Sequence, residues 1–253
     1  MKTTLALILI LATQTCCAAG VHAQAPSALG RWKVDVTFTD GSQHTLRFDV
    51  QVSGRGAFLL LDSRSSLLEP AKSSEAKWTQ TGIAELDFSG TVEFPIGNVG
   101  RIVGALVFKG TFDTTDSISG DVEFFPIVQD SKEPEPKPSK TGTFKATRVA
   151  SENTTSVRLL FPTSGKLKRG REVDISWQAD SQVGIALQQL FLSLDNGESF
   201  APISNILEGG ATEFAWIVPD TLPNTKKARL KIMVVNAIGD SADDTSKETF
   251  KIR

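Results

Sequence analysis

The sequence has almost no cysteine: two in 253 residues, adjacent at Cys16 and Cys17. Histidine and methionine are equally scarce, at two each, and neither sign of charge dominates, with 27 Lys and Arg against 29 Asp and Glu. Each shortage excludes something. Without a spread of cysteines no disulfide framework can hold the fold, and a cysteine-built metal site is out of reach. A net charge of −2 supplies no broad basic surface of the kind that holds nucleic acid, so no nucleic-acid partner is expected. Helical periodicity is almost absent as well. The apolar run Leu5–Ala12 falls well short of the ~20 residues that cross a bilayer as a helix.

That run has a different meaning. Lys2 precedes it and small residues follow, the three-part pattern of a secretory signal. Val21-His22-Ala23 puts small residues at the −3 and −1 positions, so cleavage is placed after Ala23, with Ala19 and Ala25 as alternatives. Residues 1–23 would carry away both cysteines and one histidine. Thr13-Gln14-Thr15 before Cys16 lacks the apolar-small-small pattern of a lipid-attachment site. The expectation is an exported protein, secreted or periplasmic, with no transmembrane anchor after cleavage and a fold that rests on its core alone.

What fills the rest of the chain is alternation of apolar and polar residues, broken by Gly, Asp, Asn, Ser and Pro, which predicts an all-β protein. Trp32, Val34, Val36 and Phe38 alternate with charged and hydroxyl residues; Asp40-Gly41 supplies a tight turn; Leu46, Phe48, Val50 and Val52 then alternate again. Further strands are predicted at 56–61, 76–81, 82–88, 91–94, 101–109, 117–125 and 141–149, an up-and-down antiparallel barrel over residues 26–150. The proline-rich stretch Asp130–Lys140 is either a long loop before the closing strand or a boundary near 135. Residues 151–156 form a polar linker. Strands then restart at 157–161, 173–177, 187–194, 212–218, 228–235 and 249–252, a β-sandwich over residues 157–253.

Gly30-Arg31-Trp32 resembles the Gly-x-Trp of lipocalins and other calycin barrels, and Gly142-Thr143-Phe144-Lys145-Ala146-Thr147-Arg148 resembles the closing strand of exported bacterial calycin-like domains. The resemblance implies a barrel whose tryptophan sits at the closed end under an arginine, here Arg148 over Trp32, and it brings no catalytic residues. Val173-Asp174-Ile175-Ser176-Trp177, Phe214-Ala215-Trp216-Ile217-Val218-Pro219 and Ala228-Arg229-Leu230-Lys231-Ile232 resemble the immunoglobulin-like or fibronectin type III-like modules of bacterial secreted proteins. No cysteine pair spans the sheets, so Trp177 and Trp216 must supply core volume. Ser193-Leu194-Asp195-Asn196-Gly197-Glu198-Ser199-Phe200 is similar to the Asp-box of sialidases, present once; its expected role is a structural hairpin.

Chemistry is sparse. His44 follows the Asp40-Gly41 turn and reads as a solvated loop residue, with no Gly-x-Ser-x-Gly elbow to serve. Gly165-Lys166 lacks the frame of a phosphate loop. Glu85 with Asp87, and Asp121 with Glu123, are outward pairs that a glycosidase could use if they converged in a cleft. Asp240, Asp243 and Asp244, placed in the last loop, are weak calcium candidates. Lys166, Lys168, Arg169 and Arg171 form a patch that could hold an anionic glycan or headgroup. Asn153-Thr154-Thr155 has the pattern of a glycosylation sequon. No cofactor is expected.

Three functions follow. The first is a non-enzymatic exported protein whose barrel binds a small apolar ligand through Trp32, Phe38, Phe48, Phe88, Phe108 and Arg148, with the sandwich as spacer or adhesion module. The second is a structural or interaction protein with filled cores that binds an envelope protein or glycan through its loops. The third is a carboxylate-dependent glycoside hydrolase.

Overall fold

The computed structural model describes residues 26–61, 66–68, 72–96, 100–127, 137–150 and 154–253. The expected signal segment, residues 1–23, and Asn153 of the sequon pattern lie outside them. The chain is all-β, and no helix among the described residues is long and apolar enough to cross a membrane.

Eight strands come first: β1 (Gly30–Phe38), β2 (Gln43–Val50), β3 (Arg55–Leu60), β4 (Ser73–Thr81), β5 (Glu85–Ile96), β6 (Gly100–Thr114), β7 (Ser117–Pro126) and β8 (Lys140–Val149). Each pairs antiparallel with the next, and β8 returns to β1 with Arg148 opposite Trp32, closing the barrel. Closure leaves no free edge. The predicted strands 82–88 and 91–94 are one strand, β5. The alternation falters at Gly90 because that inward position must be empty: a Cβ there would lie 2.7 Å from the Phe58 ring. Gly104 makes the same kind of notch for Phe124, at 2.3 Å. Inward glycines facing inward phenylalanines fit large rings into a small barrel.

Ten further strands follow: β9 (Thr155–Phe161), β10 (Gly165–Leu167), β11 (Glu172–Ser181), β12 (Ile185–Ser193), β13 (Ala201–Pro202), β14 (Leu207–Glu208), β15 (Glu213–Ile217), β16 (Thr225–Asn236), β17 (Ser241–Thr245) and β18 (Phe250–Ile252). One sheet is ordered β15-β11-β9; the other is β10-β18-β16-β12-β13, with β14 on β12 and β17 on β16. Their inner faces share a core in which Ile175, Trp177 and Trp216 meet Leu190, Leu230, Ile232 and Val234. β17 corrects an expectation, since the acidic stretch read as a loop is a strand on β16.

The sandwich is seated on the outside of the barrel. Asn236, 1% exposed, builds the β16–β17 turn: its Oδ1 accepts the amides of Ile238 at 3.0 Å and Asp240 at 2.9 Å, while Nδ2 donates to Thr155 Oγ1 at 2.8 Å. The turn carries Asp240 to two barrel arginines, Arg31 Nη1 and Arg47 Nη1, each 3.0 Å from a carboxylate oxygen. Gly239 passes against Leu59 and Leu61 of the barrel wall. From the β3–β4 connection, Leu67 is buried against Phe191 and Val235 on the outer face of the larger sheet, and its amide donates to Gln189 Oε1 at 2.8 Å.

Candidate functional site

The barrel interior is lined with aromatic rings. Phe48, Phe88 and Phe108 form a stack, with centroids 4.8 and 4.4 Å apart and planes within 14° and 9°. Phe144 stands edge-on to Phe88 at 5.3 Å and to Phe108 at 5.1 Å; Phe58 packs on Phe48 at 4.9 Å. Trp32 and Phe112 continue the column toward one end, and Phe94, Phe124 and Phe38 toward the other. These separations are those of rings in contact. The sequence reading names Trp32, Phe38, Phe48, Phe88 and Phe108 and puts Phe144 on the inward face with Arg148 and Ala146; it leaves out Phe58, Phe94, Phe112 and Phe124, although each shares the parity of an inward neighbour on its own strand.

The end that holds Trp32 is plugged. The Arg148 guanidinium lies 4.3 Å over the indole, the cation–π contact that the resemblance implied. Its N–H groups are fully engaged: Nη1 donates to Leu29 O at 2.6 Å, Nη2 to Ser27 O, and Nε to Asp116 Oδ1 at 2.9 Å. Trp32 Nε1 donates to Ala28 O at 2.8 Å. Residues 27–29 are thereby drawn across this end of the barrel.

His44 at the opposite end is a correction. It lies on β2 opposite Val36, half-buried, with its ring 4.2 Å from that of Phe94 and 5.9 Å from that of Phe38. It belongs to the aromatic column, not to a solvated loop. Beside it Lys140 pairs with Asp40 at 2.7 Å, and Ser42 donates both its hydroxyl and its amide to the same carboxylate. These hydrogen bonds hold the Asp40 carboxyl far below the usual carboxylate range.

The other candidates do not assemble into catalytic or metal sites. Asp240 is shared by two arginines, Asp243 pairs with Lys231 at 3.3 Å, and Asp244 Oδ2 accepts the Leu159 amide at 2.8 Å. The three calcium candidates are spread along a turn and a strand, and no group of three metal-ligating side chains gathers among the described residues. Asp87 and Asp121 stand on either side of Lys109 across β5, β6 and β7, two strand spacings or about 9.6 Å apart. They lie on a convex wall with an ammonium between them, where a glycosidase needs a cleft. Glu85 and Glu123 flank them on the same wall.

The Asp-box is a self-contained turn. Asp195 Oδ1 accepts from Ser193 Oγ at 2.6 Å and from the Ser199 amide at 3.0 Å, and Oδ2 accepts from the Ser199 hydroxyl. Those bonds hold the Asp195 carboxyl far below its usual range. Asn196 and Gly197 both have positive φ, 72° and 96°, as the type I′ turn requires. Phe200 packs with Phe191 and Leu67. Next to it, a solvent-open groove of about 840 Å³ runs between β12 and the 202–208 segment. Glu208 is its single ionisable wall residue among the described residues.

In the basic patch, Arg169 is structural: its guanidinium donates to Leu222 O and Asn224 Oδ1, both at 3.0 Å. Lys166 lies on β10, not on a turn, and Lys168 and Arg171 are exposed beside it.

No family model matches the chain, and no curated protein matches it. Among solved structures, it is similar to a tetra-tandem repeat in the extending region of a large adhesion protein, at 7% identity over 90% of this chain and 68% of that one. The TM-score is 0.30, a likeness too slight to carry an argument about either protein.

Proposed function

We propose that this is an exported, non-enzymatic interaction protein: a calycin-like barrel with a filled core, and an immunoglobulin-like sandwich seated on its wall. The observation that carries the reading is the packed interior: a cluster of five touching rings, Phe48, Phe58, Phe88, Phe108 and Phe144, with Trp32 and Phe112 in the same core at one end and Phe38, Phe94 and Phe124 at the other. A carrier barrel needs an interior wide enough to admit its cargo, and here that axis is occupied by the protein's own side chains. The arginine offered as a ligand contact is spent on the plug. This favours the interaction role over apolar-ligand carriage. Paired carboxylates on a convex wall, with Lys109 between the two pairs, favour it over hydrolysis.

Native mass spectrometry of residues 24–253 from an exporting host tests the reading, before and after incubation with oleate and retinol. The expected spectrum shows the bare polypeptide mass in both cases. A bound apolar species, released on denaturation, would overturn it.

A further inference from the structure

Strands far apart in sequence bring lysines side by side at the end of the sandwich. β10 runs parallel to β18 with Lys166 opposite Lys251. The neighbouring Leu167, Phe250 and Ile252 are buried, so by the alternation of a strand both lysines stand on the outer face. On the next strand β16 pairs Thr225 with Ile252 and Ala228 with Phe250, and the irregularity between them presents Lys226 and Lys227, both exposed. The turn after β10 adds Lys168 and Arg171. It is fixed in place by Arg169, whose amide donates to Arg253 O at 3.1 Å, and by the Gly170 amide on Val218 O at 2.8 Å.

Like charges placed directly opposite one another weaken a sheet. The chain carries 29 carboxylates, yet among the described residues none pairs with Lys166, Lys168, Arg171, Lys226, Lys227 or Lys251. Asp220, whose carboxylate lies against Gly170 of that turn, and Glu172 and Glu248 form no ion pair with any of the six. A ladder of opposed, unpaired cations is stabilised by an external polyanion.

We propose that this ladder binds a linear acidic polysaccharide, whose carboxylate or sulfate groups lie across β10, β18 and β16. The lysines repeat at the strand spacing of about 4.8 Å, the scale of one sugar residue. Five of the six cations are lysines, point charges suited to a diffuse row of anions more than to bidentate capture of one phosphate. Single-stranded nucleic acid would call for aromatic faces to stack on, and Phe250, the aromatic of these strands, is buried. A bilayer would call for apolar side chains to insert, and the nearest exposed one, Ile217, belongs to the other sheet. The site is independent of the filled barrel: a ligand found inside the barrel would leave it standing.

The test is retention of the full chain on immobilised heparin and polygalacturonate. The chain is expected to bind both at low ionic strength and to elute with salt. K166Q/K251Q elutes earlier, and the slope of log affinity against log salt falls by about 1.4–1.8 if two counterion-releasing contacts are lost, by the arithmetic measured on nucleic acids. K109Q, altered on the barrel wall between Asp87 and Asp121, elutes with the parent. Thermal unfolding of K166Q/K251Q occurs at the parent temperature or above it, since an opposed pair is gone. Failure of the parent to bind would overturn the proposal, as would unchanged elution of the double variant. So would a lower melting temperature for it, or tighter binding to phosphatidylglycerol vesicles or oligothymidine than to the two polysaccharides.

Discussion

The barrel and the sandwich are both built from alternating strands, but they treat buried polarity in opposite ways. Among the described residues, every buried polar side chain belongs to the sandwich: Gln188, Gln189, Ser193, Asn236 and Ser246. The buried side chains of the barrel are all apolar. The difference follows from closure. In the barrel each strand has a partner on both sides, so backbone groups are satisfied by the ladder itself and the interior can be aromatic rings and glycine notches. The sandwich has strands of two or three residues and irregular connections, and side-chain amides do there what a ladder cannot. Gln188 accepts Trp177 Nε1 at 2.6 Å and donates to the carbonyls of Glu208, Gly209 and Ala211. One buried amide thus fixes a core tryptophan and a loop.

Six substitutions, read in four experiments, would break or sharpen this contrast. Phe88→Ala removes the middle ring of the stack and is expected to cost about 3–5 kcal/mol, read from denaturant unfolding; a loss under about 1 kcal/mol would mean that the rings are not a packed core. Gln188→Leu keeps the volume and deletes the amide, leaving an indole N–H and carbonyls unpartnered in the sandwich. About 2–3 kcal/mol should be lost, whereas the similar swap of one apolar residue for another in the barrel, Leu106→Met, should cost under about 1.5 kcal/mol.

Asp240→Ala removes the sandwich's carboxylate from Arg31 and Arg47, which stay side by side on the barrel wall with Asp49 between them. The groups are half-buried, between the exposed and buried limits for ion pairs, so about 1–2 kcal/mol is expected. Small-angle scattering should show a larger radius of gyration, and an unchanged profile would show that Leu67 alone holds the modules.

The smallest effect is one of acidity and compares one carboxylate from each module. Asp40 and Asp195 are both held below their ordinary value of 3.8, so they bind protons less readily folded than unfolded. Their contribution is complete above pH 3.8 and drains away as the pH falls below it. Asp195→Asn and Asp40→Asn should each flatten that acid limb of the stability curve and leave the rest of the pH profile in place.

Much of this architecture was legible. Alternation marked all eight barrel strands and the long strands of the sandwich, because one face of each is wet and the other dry. It failed where that condition failed. Gly90 carries no side chain to mark its face, so β5 was divided in two. In β17 the inward positions are Ala242 and Asp244, whose carboxylate accepts the Leu159 amide, so one small apolar residue was too little to mark the strand, which read as a loop. β10, β13 and β14 are too short to show a period. The aromatic interior was half visible through parity, but the contact between rings was not, since spacing says which residues face inward and nothing about whether they meet. The junction was invisible: Leu67 sits in the twelve-residue connection between β3 and β4 with no periodic neighbours to mark it, and Asp240 among neighbouring acids looks like a calcium ligand. Only the fold brings residue 31 beside residue 240. The lysine row was legible in part: Lys166, Lys168 and Arg171 stand together in the sequence, but only the fold brings Lys226, Lys227 and Lys251 beside them.

That junction also has a mechanical meaning. A module hung from one peptide strand can swing and twist freely, and any pull on it passes through a single chain. Here the sandwich meets the barrel at the polypeptide leading into Thr155, at Asp240 between its arginines and at Leu67 in its apolar socket. Three attachments of different kinds restrain the swing and twist that a single strand would permit. A load applied to either module is shared among a covalent bond, a charge clamp and a buried side chain acting in parallel.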